Sequence, residues 1–137
     1  MRTQRNTTYG SEHQKIHARA VIMENIIENN RTQMRRGVLE YSILLILSAG
    51  DEYASSIIQK LKDVNIIVAE GTTYPLLIRL KKLGLLNYRW EESPQGPPRK
   101  YYMSTDLGRE QLSGLDAAWE ELSRGIETIR ETNRRTR

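Results

Sequence analysis

The feature that most constrains this chain is a change of period at Gly84. Before it, apolar residues recur at helical spacing, and after it they alternate. Val38 to Leu47 is apolar nearly all round (Val38, Leu39, Ile43, Leu44, Leu45, Ile46, Leu47), which suits a helix buried in a small domain. Gly50 closes that helix, and Asp51 is placed to cap the next, in which Ala54, Ile57, Ile58 and Leu61 fall on one face as far as about Asp63. A third helix begins near Gly71 to Tyr74, accepts Pro75 in its first turn, turns Leu76, Leu77, Leu80 and Leu83 inward, and stops at Gly84. Beyond Gly84, Leu86, Tyr88 and Trp90 alternate with Asn87, Arg89 and Glu91, and Tyr101 to Ser104 form a second extended run. Ser93 to Lys100 lies between them and reads as a long, proline-stiffened hairpin tip carrying positive charge.

Three helices followed by a hairpin is the order of a winged helix-turn-helix, whose third helix enters the major groove of DNA and whose hairpin is the wing. The expected fold is mainly α with a small β-hairpin. It carries an N-terminal helix and a C-terminal dimerisation helix. The helix after the wing starts at Thr105, an N-cap residue, and reaches about Asn133. Its apolar residues Leu112, Leu115, Trp119, Leu122, Ile126 and Ile129 make a heptad seam, for which a second copy of the same helix is the simplest partner. On the amino-terminal side, Met1 to Gly10 has no apolar period and is expected to be disordered. Ser11 to Asn29 is expected to be helical, with a narrow stripe of Ile16, Ala20, Met23 and Ile27 that needs a partner. Asn29 and Asn30 then interrupt it before the basic stretch Arg31 to Arg36. The resulting organisation is an extension over 1–30, a winged-helix domain over 31–104 and a dimerisation helix with a basic tail over 105–137.

Composition excludes several other functions. The chain of 137 residues has no cysteine, so disulfide frameworks, thiolate metal sites and Cys nucleophiles are ruled out. The longest apolar stretch, Tyr41 to Ala49, is far below the roughly 20 residues that span a bilayer. No apolar segment resembles a secretion signal, and the expected location is cytoplasmic. His13 and His17 stand at i, i+4 but lack a third ligand, so no metal is expected. The pairs Glu91-Glu92 and Glu120-Glu121 adjoin the wing and the heptad seam and define no catalytic pocket. No cofactor is expected either, and the chain does not read as an enzyme. The net charge of +4 is mild, so its placement matters more than its total.

The segments Glu70-Gly-Thr-Thr-Tyr-Pro-Leu-Leu-Ile-Arg-Leu, Leu83-Gly-Leu-Leu, Arg89-Trp-Glu-Glu-Ser, Gly96-Pro-Pro-Arg-Lys-Tyr-Tyr and Thr105-Asp-Leu-Gly-Arg occur in this order. Together they resemble the PadR-type transcriptional regulators, and the resemblance extends over Val38 to Leu112. It implies the short form of that family, with a single C-terminal dimerisation helix. Two departures stand out: Tyr53-Ala54 replaces a frequent His-Gly-Tyr triplet, and Thr73 stands where Leu is common. The segment before Arg31 is longer than in most members, and Met23 offers an alternative start that would make the residues before it dispensable. In a multidrug-binding member, a Trp at the position matching Trp119 pairs across the dimer axis and sandwiches flat aromatic molecules. By that resemblance Met34, Tyr41, Leu45 and Ser123 would be its neighbours. Ser123 replaces an acidic residue there, which weighs against cationic ligands.

A helix in the major groove uses its first residues for base edges and phosphates, which singles out Thr72, Thr73 and Tyr74. Arg79, Lys81 and Lys82 follow on the same helix; Arg79 could equally pair with a Glu on a neighbouring helix. On the wing, Gln95, Gly96, Arg99 and Lys100 are placed for phosphates or the minor groove. Tyr53 joins the DNA-facing set from the start of the second helix, and Arg35 and Arg36, with Arg31, form a basic cluster before the first domain helix. The expected function is that of a dimeric, sequence-specific repressor of a nearby operon. Its partner would be palindromic double-stranded DNA, and a small aromatic effector would release it. The alternative is a winged-helix protein-interaction or ligand-sequestering dimer that does not bind DNA.

Overall fold

Helix α1 runs from Thr8 to Ser48 in a computed structural model that describes residues 8–67 and 69–137. Residues 1–7 of the expected disordered leader lie outside the described residues, while Thr8 to Gly10 are helical. The chain divides into two compact units, Met1–Gly37 and Val38–Arg137. In the first unit the expected break at Asn29 and Asn30 does not occur. Asn costs a helix only a few tenths of a kcal/mol, about 0.7 at most. Ion pairs from Glu28 to Arg31 (3.8 Å) and to Arg35 (3.6 Å) bridge the expected breakpoint.

In the second unit, α1 buries Leu39, Ile43, Leu44 and Leu47 on one face and leaves Leu45 exposed. Two residues of strand β1 (Glu52–Tyr53) follow, then α2 (Ala54–Asp63), a 3-10 turn (Glu70–Thr72) and α3 (Thr73–Lys82). Asp51 does not cap α2: the N-cap is Tyr53, without a side-chain hydrogen bond, and Asp51 pairs with Arg89 at 3.4 Å. Both short helices end in the same way. After α2 the left-handed residue is Asn65 (φ 59°), with Asn65 N–H donating to Lys62 and Ile66 N–H to Leu61. After α3 it is Gly84 (φ 78°), with Gly84 N–H donating to Lys81 and Leu85 N–H to Leu80. These paired bonds are Schellman closures, in which glycine and asparagine tolerate positive φ best. Leu83, expected inside, is exposed because it is the C-cap residue of α3, beyond the last inward position at Leu80.

Strands β2 (Leu86–Ser93) and β3 (Gly96–Ser104) pair antiparallel, and β1 adds to the far side of β3 through Glu52–Tyr102 and Tyr53–Tyr101. The wing is therefore part of a three-stranded sheet ordered β1-β3-β2. Its tip is only Pro94-Gln95, shorter than expected, because β3 continues through Pro97 and Pro98. They sit where the register shifts between the Glu91–Arg99 and Ser93–Gly96 pairs, so their missing N–H groups cost the ladder little.

Helix α4 (Asp106–Arg135) starts under a Thr105 cap, whose Oγ1 accepts from Gly108 N–H at 3.0 Å. The Thr105 hydroxyl also lies 2.6 Å from the Gly84 carbonyl oxygen and 3.0 Å from that of Leu85, and its single proton serves one of them at a time. This ties the start of α4 to the end of α3. The core comprises Leu39, Ile43, Leu44, Leu47, Ile57, Ile58, Leu61, Ile67, Leu77, Leu80, Leu85, Leu86 and Tyr102. Leu112 and Leu115 pack against it from α4. The heptad seam is thus split: its first two residues serve the chain's own core, and Trp119, Leu122, Ile126 and Ile129 remain exposed.

Candidate nucleic-acid interface

Helix α3 is two-faced because its apolar residues recur every three to four positions. Thr73, Leu77 and Leu80 are buried, while Thr72, Tyr74, Ile78, Arg79 and Lys82 are exposed. Thr73, expected to touch DNA, is corrected by its burial: it is 0% exposed, and Oγ1 has no hydrogen-bond partner among the described residues. An unpaired buried hydroxyl costs about 1–3 kcal/mol. Arg79 forms no ion pair among the described residues, so the expected alternative of a Glu partner is not realised in this structure. Lys81 turns toward the sheet, with Nζ 5.9 Å from the Tyr88 ring centroid.

The wing presents its cations through aromatic rings. The Arg99 guanidinium lies 4.6 Å from the centre of the Tyr53 ring, and Nη2 donates to Ser93 Oγ at 3.3 Å. Lys100 Nζ is 4.6 Å from Tyr88 and 5.6 Å from Trp90. Glu91 is directly opposite Arg99 in the ladder and would be its natural counter-ion, but both of its oxygens are engaged elsewhere. The Tyr53 hydroxyl donates to Oε2 at 2.6 Å, and Arg89 donates to Oε1 through Nε at 3.1 Å and Nη2 at 2.9 Å. The Tyr53 and Arg89 bonds hold the Glu91 carboxyl below its ordinary value, and the same Tyr53–Glu91 bond raises the phenol. With Glu91 occupied, Arg99 forms no ion pair among the described residues. Tyr53 therefore holds Glu91 and carries Arg99 on its ring, a function its place at the start of α2 did not suggest.

Between α3 and the wing runs a cleft of about 320 Å³ lined by Tyr53, Tyr74, Ile78, Trp90, Arg99 and Lys100, among others. It gathers Tyr53, Tyr74, Arg99 and Lys100 from the expected set. It also adds Ile78 and Trp90, which sequence reasoning missed: Ile78 is exposed on α3, and Trp90 shares the face of Leu86 and Tyr88 but is itself exposed. Gln95 and Gly96 are exposed at the wing tip. Arg35 and Arg36 belong to the Met1–Gly37 unit, where Arg35 is paired with Glu28 and Arg36 is exposed. Met34 is exposed in that unit as well.

On α4, the Trp119 ring lies 6.4 Å from that of Tyr41, and the Tyr41 hydroxyl donates a short hydrogen bond to Asp116. That bond raises the Tyr41 phenol above its ordinary value. Ser123 turns its hydroxyl to the Glu120 carbonyl at 3.3 Å, and Leu45 is exposed. Among the described residues no group of three His, Asp or Glu is arranged to hold a metal, and no helix is long and apolar enough to cross a membrane.

A three-helix unit whose third helix stands beside a β-hairpin wing is a winged helix-turn-helix. The PadR-like transcriptional regulator family model matches residues 43–114. A PadR-like transcription factor from Bacteroides fragilis is 54% identical, with a TM-score of 0.61, over 74% of this chain and 98% of that one. A PadR-like regulator from Bacillus cereus is 39% identical, with a TM-score of 0.64, over 71% and 95%. Bacillus subtilis PadR, solved in complex with operator DNA, is 27% identical, with a TM-score of 0.53, over 57% of this chain and 46% of that one. This chain belongs to the PadR-like transcriptional regulator family.

Proposed function

We propose that the protein is a cytoplasmic, sequence-specific DNA-binding repressor of a nearby operon, acting as a homodimer on a palindrome. The observation that carries this reading is the set of cations Arg79, Lys82, Arg99 and Lys100 on α3 and the wing, none ion-paired among the described residues. The operator-bound Bacillus subtilis relative supports the same reading. Thr72, Tyr74 and Arg79 read the major groove, and Arg99 and Lys100 hold the flanking phosphates. Replacing Arg99 and Lys100 together by Ala is expected to weaken binding to all sequences alike. The slope of log affinity against log salt should fall by about two, because roughly 0.9 counterion is released per phosphate contact. Titration by fluorescence anisotropy at several salt concentrations measures this; an unchanged slope would remove the wing from the interface.

The release signal in this reading is a planar aromatic molecule at the exposed Trp119, beside Tyr41. A ligand seated there stacks on the indole and changes the spacing of the two reading heads. With Trp90→Phe removing the second indole, planar aromatics are expected to quench Trp119 emission saturably. Absence of saturable quenching would leave Trp119 as an interface residue only.

A further inference from the structure

We propose that the N-terminal arm, Glu12 to Met34, is a second self-association surface that pairs in parallel and in register with the arm of another copy. This goes beyond the proposed function, whose dimer rests on α4. On the continuous helix of the first unit, Ile16, Ala20, Met23, Ile27, Asn30 and Met34 follow each other at spacings of four, three, four, three and four. That is a coiled-coil seam. Its four large apolar members are 51–73% exposed, and Ile26 flanks the seam at 48%. An apolar face of this length on one helix is not stable against water without a partner helix.

Three features select a second copy over a different partner. Asn30 is the polar residue within the run Ile16 to Met34, and in a parallel, in-register pair it meets its own copy, amide to amide, as His13, one step earlier in the same spacing, meets its own. In an antiparallel pair centred on this seam, Asn30 would face Ala20, and its amide would be left without a partner. The flanking positions agree with the parallel choice. Arg19 is five residues before Glu24, and Glu12 is five before His17, which is the offset at which residues beside the seam meet across a parallel pair. Each chain thus offers Arg19 to the partner's Glu24 and Glu12 to the imidazole of the partner's His17. Antiparallel pairing would instead bring Glu24 toward Glu24 and His17 toward Arg31.

The chain has no cysteine, so single cysteines report this geometry directly in the full-length protein. Under oxidising conditions Asn30→Cys is expected to form about tenfold more covalent dimer than Asn25→Cys, whose position faces away from the seam. Adding Met23→Glu and Ile27→Glu to Asn30→Cys should abolish the cross-link, and both replaced side chains are exposed, so the change does not disturb a core. Equal yields from Asn30→Cys and Asn25→Cys would overturn the proposal. So would a cross-link that forms only between an Ala20→Cys chain and an Asn30→Cys chain. In a chain carrying Leu122→Glu and Ile126→Glu the Asn30→Cys dimer should persist. Its loss there would show that the arms meet only through α4, and the proposal would fail. The α4 reading itself is judged separately, by the mass and DNA affinity of the α4 variant without any cysteine and with Met23→Glu and Ile27→Glu parting the arms.

Discussion

Gly108→Ala is expected to destabilise the Val38–Arg137 unit by about 3 kcal/mol or more, the upper range for overpacking a fixed site. A Cβ at Gly108 would stand 2.1 Å from the Leu85 carbonyl oxygen and 2.8 Å from Ser104 Oγ. The serine side chain can rotate away, but the carbonyl cannot, since it accepts Thr105 N–H at 3.2 Å and belongs to the closure that ends α3. The absence of a side chain at Gly108 therefore lets α4 lie against the junction from which β2 departs. Thermal unfolding followed by circular dichroism should show a midpoint lower by about 12 °C or more, at about 4–8 °C per kcal/mol for a unit of this size. Gly114→Ala is the matched control, with nothing within 4 Å of its Cβ. It should stabilise the helix by about 0.5–1 kcal/mol. A Gly108→Ala midpoint equal to that of the parent would refute the packing of α4 described above.

In a chain whose N-terminal arms are parted by Met23→Glu and Ile27→Glu, adding Leu122→Glu with Ile126→Glu is expected to cost operator affinity about 100-fold or more, since joining two half-site readers multiplies affinity by 10²–10⁴. Both side chains are exposed on α4, so the chain should keep its helical content while its mass falls to that of a monomer. Sedimentation and anisotropy on one preparation separate the two effects. A monomer with undiminished affinity would mean that each winged helix binds alone; a dimer of unchanged mass would mean that the exposed half of the α4 seam is not the interface.

Much of the fold was legible because its period is strong. The three helices before Gly84, the left-handed stop at Gly84 and the alternation after it follow directly from the placing of Leu77, Leu80, Leu86 and Tyr88. Other features depend on contacts distant in sequence. Glu52 and Tyr53 form a strand only because Tyr101 and Tyr102 lie beside them, and two residues have no period to read. The wing tip looked long because Pro97 and Pro98 signal a turn, yet an irregularity in the ladder accommodates both. Asn29 and Asn30 looked like a break because their weak helix propensity was read without the Glu28 ion pairs that bridge them.

At the site the legible part was the placing of charge, since Arg79, Arg99 and Lys100 fall on the third helix and the hairpin in the sequence itself. Thr73 shows the opposite case. Thr73 stands four residues before Leu77 and seven before Leu80, on the buried face of the helix, and that spacing outweighs the fitness of a hydroxyl for hydrogen bonding to DNA. The engagement of Glu91 by Tyr53 and Arg89 joins residues up to 38 positions apart, and no local pattern announces it. Leu112 and Leu115 share a heptad with Trp119 but belong to the chain's own core, because α4 lies against that core only in its first turns.

The central claim is that α3 and the wing read a particular DNA sequence. Competition binding at about 0.15 M salt, where long-range charge attraction is screened, tests it most directly. A labelled duplex from the protein's own promoter region is challenged with unlabelled promoter or with random duplex of equal length. The account predicts that the promoter competes about 10³-fold or more better than random DNA, the lower end for specific repressors. Equal competition by the two duplexes would contradict it.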